Sequence, residues 1–334
     1  MNRNLNSTSQ PLHEMPVFNN WDVVALGWYL AASAKSVGPA GVLAVELCGQ
    51  RLVLFRGDDG VVRARDAICP HMGADLARGD VEGNTLRCAL HRKCLEGEYA
   101  TEEKWGFIWV YPSSEAPSAI VEFPGWEGEE VVAQAGIPFE RPCHHHVSMI
   151  NGIDPQHLRT VHDIHIDMEL IIDEGTGNRV VDYTLRGAIP ETSFRERLGR
   201  RLLGETYQYS MRYADGNIGL LSVNEGTRLL GTGPELPSTH MVFAYVPLES
   251  GRTLVQPIYV AKRRTGIVGR LFSHALLIAM KWGFYVLRDE DGEIYDHIRF
   301  RPANLLPIDA PVSKYIAYVN RLEPSAWSRS CSTD

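Results

Sequence analysis

Two cysteine–histidine pairs carry the plainest chemistry in the chain. Cys69 and His71 form a Cys-X-His pair, and Cys88 and His91 form a Cys-X2-His pair, with 16 residues between His71 and Cys88. Two thiolates on one iron and two imidazoles on the other would hold a mixed-ligand [2Fe–2S] cluster. Such a cluster has a reduction potential well above that of an all-cysteine one. Both pairs run Cys before His, so each supplies one ligand to each iron. The alternative is a Cys2His2 zinc site. Zinc sites usually run Cys-Cys and then His-His, so the iron–sulfur centre is the expectation.

A second set of donors follows. Asp154, His157 and His162 form Asp-X2-His-X4-His. Two histidines and a distant carboxylate suit a facial triad holding Fe(II) with open positions for O2. Asp154-Pro155 reads as a helix N-cap followed by Pro at the first helical position. Five residues of ideal α-helix leave His157 and His162 about 140° apart. Either the helix is distorted between them or His162 lies beyond its regular part. Taken alone, this spacing also fits ordinary histidines in a His-rich stretch. The neighbouring His144, His145, His146 and His165 are expected to line a pocket or sit on a strand.

The elements that must position these groups are legible in outline. Residues 42–45, 51–56 and 61–65 read as strands divided by turns at Cys48-Gly49-Gln50 and Gly57-Asp58-Asp59-Gly60, the signature of hairpins in a small all-β domain. Both Cys/His pairs then sit on loops at its tip. Trp105 to Tyr111 reads as the closing strand, and Pro112 to Pro117 as the domain edge. Glu129 to Gln134 and short apolar runs across 168–262 indicate a second, antiparallel sheet. A helix over about 268–286 follows. The expected organisation is α+β. An all-β [2Fe–2S] domain spans 18–122, and a catalytic domain with a helix-flanked antiparallel sheet spans 123–325. Residues 1–17 and 326–334 are expected to be flexible tails.

Composition narrows the function classes. A chain of 334 residues suggests two domains. The net charge of -8 argues against nucleic acid as a partner. Six scattered cysteines form no secreted-type framework and point to a reducing compartment, so the expected location is cytoplasmic. Met1 to Gln10 is polar and does not read as a secretory signal. The longest apolar run, Leu271 to Met280, continues after Lys281 with Trp282 to Leu287 and contains His274. A bilayer span needs about 20 mostly apolar residues. A buried core helix is therefore expected rather than a membrane span, and contact with a membrane surface stays open.

These motifs resemble the catalytic subunits of Rieske non-haem iron oxygenases. The resemblance rests on Cys69-Pro-His71-Met-Gly-Ala, Cys88-Ala-Leu-His91, Trp105-Gly-Phe-Ile-Trp109-Val, and Asn151-Gly-Ile-Asp154-Pro-Gln-His157 with His162. It implies a Rieske [2Fe–2S] cluster on Cys69, His71, Cys88 and His91, and Fe(2+) on His157 and His162. Asp291-Gly-Glu-Ile-Tyr295 resembles the ligand segment of the 3-ketosteroid 9α-hydroxylase and aminopyrrolnitrin oxygenase branches. It implies Asp291 as the third iron ligand, placed just after the long helix, with Asp289 as the alternative. Pro302, Asp309-Ala-Pro311-Val and Tyr315 resemble the tail of the same branches. Two departures stand out. Arg92 and Lys93 occupy positions where the family usually has Gly or His and then Trp, and only about a dozen residues separate Lys93 from Trp105.

The resemblance further implies a head-to-tail homotrimer in which Asp154 bridges His157 to His91 of a neighbouring subunit. It implies O2, electrons from a separate ferredoxin or NAD(P)H-dependent reductase, and hydroxylation of a bulky, mostly apolar small molecule. N-oxygenation of an arylamine, desaturation and demethylation are alternatives. The chain shows no Gly-X-Gly-X2-Gly after a strand, which fits a separate reductase. Arg195, Arg197, Arg200 and Arg201 fit a solvated charge run or, less well, a ferredoxin dock. From another class, a Rieske electron carrier without catalysis would bind two irons rather than three, and a zinc-stabilised binding protein would be colourless.

Overall fold

The computed structural model describes residues 16–162, 167–174, 179–189, 191, 194, 197, 200, 201, 205–223, 233, 238–248 and 251–329. The N-terminal region contains nine short strands: β1 (Tyr29–Ser33), β2 (Val42–Leu47), β3 (Gln50–Arg56), β4 (Val62–Asp66), β5 (Asp80–Glu82), β6 (Thr85–Arg87), β7 (Cys94–Leu95), β8 (Ala100–Lys104) and β9 (Phe107–Tyr111). They form three antiparallel three-stranded sheets, ordered β1-β9-β8, β2-β3-β4 and β5-β6-β7. The β2–β3 hairpin turns on Cys48 and Gly49, with φ of 51° and 76°. Two successive left-handed residues make the turn whose twist matches the flanking strands.

Trp105 and Gly106 repeat that device, with φ of 55° and 83°, between β8 and β9. The sequence reading opened the closing strand at Trp105. The strand begins at Phe107 instead, because Trp105 and Gly106 together make the turn.

The second region is an eight-stranded antiparallel sheet. Its strands are β10 (Val131–Ala135), β11 (Phe139–Arg141), β12 (Asp167–Asp173), β13 (Val180–Ala188), β14 (Thr206–Ala214), β15 (Ile218–Val223), β16 (Thr239–Leu248) and β17 (Arg252–Lys262). The order is β10-β17-β16-β15-β14-β13-β12, with β11 also on β17. The helices whose bounds are described are α1 (His145–Met149), α2 (Pro155–Thr160), α3 (Gly266–Tyr295) and α4 (Ala310–Val319). Tyr183, Tyr213, Tyr259, Tyr315 and Tyr318 fill the space between sheet and helices, each almost wholly buried.

The two regions share a core. Trp28, Leu30, Phe107 and Trp109 of the first pack with Ile218, Leu220, Val242 and Ile258 of the second in one apolar cluster. A polar joint pins that contact. Arg179 pairs with buried Asp215 at 2.6 Å. The same carboxylate accepts from the Trp28 backbone N–H at 3.2 Å, and Asn217 Nδ2 donates to the Trp28 carbonyl at 2.8 Å. Gly27 makes the approach possible, since a Cβ there would lie 2.4 Å from Asp215 Cβ.

The chain ends cross this boundary. Val17 and Phe18 lie in the core of the second region with Tyr315. Trp327 is buried against Tyr29 and Tyr99 in the first region. Residues 17 and 326–329, expected within loose tails, are thus packed at Val17 and Trp327 and hydrogen-bonded at Ser328.

α3 departs furthest from expectation. It runs 30 residues, past 286 to Tyr295, since no proline interrupts it and the packing of Asp291 and Tyr295 outweighs the weak helix propensity of Gly292. Leu277, Met280, Phe284, Asp291 and Tyr295 recur on one face at helical spacing. By length and composition alone it could cross a membrane, yet the apolar stretch is only 17% buried within the fold. It is an amphipathic helix laid on the sheet, not the buried core helix expected.

Candidate metal centres

The Rieske-side donors sit on two loops of nearly identical geometry. The first follows β4: Cys69 N–H donates to the Ala74 carbonyl at 2.8 Å, and Gly73 N–H donates back to the Cys69 carbonyl at 2.9 Å. The second joins β6 to β7, with Cys88 N–H to Lys93 and Arg92 N–H to Cys88, both 2.9 Å. Gly73 and Arg92 therefore hold equivalent places, and both are left-handed, with φ of 74° and 56°.

That explains one departure from the family pattern. The backbone requires a residue tolerant of positive φ, for which glycine is the natural choice. Arg92 adopts the strained conformation, and its guanidinium reaches Asp80 at 3.0 Å. Cys69 and Cys88 are buried in a small apolar cluster with Phe55, Leu76 and Leu86. The His71 and His91 rings meet at 4.7 Å and are exposed. Hydrogen bonds from the loop backbone at Leu90, then at His91, hold the Cys88 thiol below its ordinary pKa against the opposing effect of burial. This suits a thiolate ligand.

The second centre converges from opposite ends of the second region. Asp154 caps α2, its Oδ1 accepting from Gln156 N–H at 2.9 Å, and Pro155 opens the helix. α2 ends at Thr160, so His162 lies just beyond the regular helix, which resolves the 140° difficulty. From α3, Asp291 Oδ1 comes within 2.8 Å of His157 Nε2 and 3.0 Å of His162 Nε2. The two imidazole nitrogens are 3.1 Å apart. One face of an octahedron with bonds of about 2.1 Å has edges of about 3.0 Å, against about 3.4 Å for a tetrahedron. The triangle matches the octahedral face. Asp291 Oδ1, though buried, has no hydrogen-bond partner. Such an orphaned acceptor between two imidazoles fits a bound cation.

The surroundings fix these donors in place. Asn151 Nδ2 donates to Asp291 Oδ2 at 3.0 Å. His162 Nδ1 lies 2.7 Å from Glu290 Oε2. Burial alone would lower the His162 pKa and raise that of Asp291. Asp291 and Glu290 outweigh it at His162, holding that pKa up, and the two histidines outweigh it at Asp291, holding that one down. Asp289 is exposed and paired with Arg288 at 2.6 Å, so it faces away from this site. Asp291 lies on the inner face of α3 itself, not after it, as the sequence reading had placed it. Glu290 was expected only as a solvated acid, and Tyr295, whose ring meets His157 edge-on at 5.9 Å, was named only as part of the resembling segment. Their signal was present, since both share the helical segment that carries Asp291.

A cavity of about 140 Å³ opens over the triad. Phe139, Tyr207, Tyr209, Phe243 and Phe284 form much of its wall, and Arg141 and Arg288 add cationic groups.

His144, His145 and His146 line no part of this cavity and sit on α1 and its N-cap rather than on a strand. Their ring nitrogens lie within 4.8 Å of one another, a spacing open to a metal. His144 stacks on His145 and His146 on Phe18, and Trp21 meets His144 edge-on. Burial lowers all three pKa values, that of His144 to about 4, so they pack as neutral rings. His165 and Arg195 lie outside the described residues. Arg200 pairs with Glu191 and Glu205, and Arg197 bonds the Glu191 carbonyl, as a solvated charge run would.

Comparison with known proteins agrees with this arrangement. Residues 27–104 match the Rieske [2Fe–2S] domain. The chain is 27% identical over 175 residues to a vanillate O-demethylase oxygenase subunit of Pseudomonas sp. (strain HR199 / DSM 7063), covering 46% of this chain and 49% of that one. It is 31% identical over 122 residues to a probable 3-ketosteroid-9-alpha-monooxygenase oxygenase component of Rhodococcus rhodochrous, covering 30% of this chain and 31% of that one. The chain thus spans about half or less of the length of these curated relatives. The fold matches a crystal structure of dicamba monooxygenase bound to dicamba, with TM-score 0.63, 19% identity and coverage of 89% and 97%. Domain, relatives and fold all resemble Rieske non-haem iron oxygenases. The matched domain is a [2Fe–2S] domain, and one dicamba monooxygenase structure of this fold holds non-haem iron.

Proposed function

We propose that the protein is the oxygenase component of a Rieske monooxygenase acting on a bulky, mostly apolar small molecule. One observation carries the reading. His157, His162 and Asp291 converge at 2.8–3.1 Å on the floor of an aromatic cavity, in a chain that also holds a Rieske domain. In this reading Cys69, His71, Cys88 and His91 ligate the cluster, and His157, His162 and Asp291 ligate the iron. When bound, the cluster supplies single electrons and the ferrous ion supplies reactivity toward O2.

The chain's own residues do the rest. Asn151 anchors Asp291 through Oδ2 and leaves Oδ1 facing the imidazoles. Glu290 accepts the His162 Nδ1 proton, which keeps the Nε2 lone pair directed at the site. The aromatic walls orient an apolar substrate and limit water around the triad.

Electrons come from a separate ferredoxin or NAD(P)H-dependent reductase, and the assembly is a head-to-tail homotrimer with Asp154 bridging to a neighbour's His91. The exposure of His71 and His91, and of Met72 and Leu90 beside them, supports a tip that meets another surface. A cytoplasmic setting accords with the free thiols of Cys48, Cys94 and Cys143, none of them a proposed cluster ligand.

Hydroxylation at carbon is the first reading. Demethylation is the second, favoured by the vanillate O-demethylase relative and by Arg141 and Arg288 in the wall. The test is incubation of reduced protein and O2 with apolar and methoxylated aromatic candidates, followed by mass spectrometry. A product heavier by one oxygen supports hydroxylation, and loss of a methylene supports demethylation. Iron-loaded, reduced protein that consumes O2 with none of these compounds modified overturns the reading.

A further inference from the structure

α3 carries a face that the metal site does not use. Ile267, Val268, Leu271, Phe272, Ile278 and Trp282 are 78, 81, 65, 42, 51 and 66% exposed. At about 100° per residue they fall within an arc of about 140°. Soluble proteins seldom leave so continuous an apolar patch in water without a partner for it. The opposite face is fixed to the sheet: Ser273, Leu277 and Met280 are buried, and Ser273 Oγ donates to the Lys262 carbonyl at 3.0 Å. With one side held against protein, this helix cannot be surrounded by lipid, so it can lie on a bilayer but not cross one.

Charge points to the kind of surface. From Lys262 to Arg288 the chain has six lysines and arginines and no acid, within a protein of net charge -8. Lys262 and Arg263 are partly matched by Glu129 and Glu130. Arg264 lies over the Phe272 ring at 4.5 Å. Arg270 and Lys281 flank the apolar arc on one side, and the acids Asp289, Glu290 and Glu293 begin only beyond Arg288. An apolar face with Trp and Phe, edged by cations, is the composition of a helix that lies in the headgroup plane of anionic lipid. A two-fold contact with a second copy would instead bring these cations together.

We propose that this face of α3 docks the protein on an anionic membrane surface, with the helix parallel to the bilayer and the six apolar side chains at the acyl boundary.

The test is co-sedimentation of the full-length, cluster-loaded protein with phosphatidylcholine vesicles, with and without phosphatidylglycerol, alongside sedimentation velocity without lipid. Binding should favour the anionic vesicles and weaken as salt rises. Leu271→Glu with Trp282→Glu should reduce it at least about tenfold. Arg270→Gln with Lys281→Gln should remove mainly the anionic preference. An unchanged visible cluster spectrum and melting temperature show that the variants fold. Unchanged iron content and unchanged product from a water-soluble substrate separate docking from catalysis. No binding to anionic vesicles, undiminished binding by the first variant, or an oligomer that this variant dissociates in a protein that ignores vesicles would each overturn the proposal.

Discussion

The two candidate metal centres are built on opposite plans. The cluster loops are short hairpin turns at the tip of small sheets. They hold their cysteines in a minor apolar core and leave both histidines exposed. The triad is drawn from sites 134 residues apart, His157 and Asp291, on two helices over the main sheet, and all three donors are buried or nearly so. The difference follows from the proposed tasks. A centre that passes electrons to or from another surface needs an exposed edge, whereas one that handles O2 and substrate needs enclosure. Local turns suffice for the first. The second depends on the whole domain being folded.

The largest expected effect tests whether the two regions form one folded body. Asp215→Ala leaves Arg179 and the Trp28 N–H without their buried partner at the joint. Thermal or urea unfolding should show a loss of about 3–5 kcal/mol. Two separated transitions in the parent protein would show instead that tip and pocket fold independently.

A smaller effect should fall on the pocket alone. Asn151→Ala removes the anchor of Asp291 Oδ2, so affinity for ferrous iron should drop about 10–100-fold. The cluster spectrum should stay as it was. A matching change in the cluster would mean that the two centres are not separable in this way.

The smallest effect belongs to the tip. Arg92 is left-handed, so Arg92→Gly should be more stable than Arg92→Ala by about 1 kcal/mol, as unfolding monitored by cluster absorbance would show. Equal stabilities would mean that the loop relaxes away from the geometry it shares with the Cys69 loop.

The cluster loops were legible in the sequence because their chemistry is local. Cys69, His71, Cys88 and His91 fall within 23 residues, and Gly and Asp mark the turns around them. Arg92 disguised one loop, since a left-handed arginine carries no sequence signal of its conformation. The helix start at Asp154-Pro155 was equally local. The pairing of Asp291 with His157 and His162 depends on long-range packing, and only family resemblance pointed to it. The end of α3 was misjudged because the acids after Arg288 resemble a solvated terminus, although Asp291 and Tyr295 continue the buried face. The exposure of the Ile267 to Trp282 face was hidden because apolar composition reads the same whether protein or water lies against it. The chain ends looked loose because single apolar residues such as Val17 and Trp327 leave no periodicity to read.

The central claim is that the triad holds iron independently of the cluster and is required for chemistry. His157→Ala tests it most directly, by iron analysis of the loaded protein together with the EPR signal of the reduced cluster and product mass spectrometry. The account predicts a fall from about three irons per chain to about two, an unchanged cluster signal, and product reduced by more than about 100-fold. Full iron content with undiminished product in this variant would contradict it.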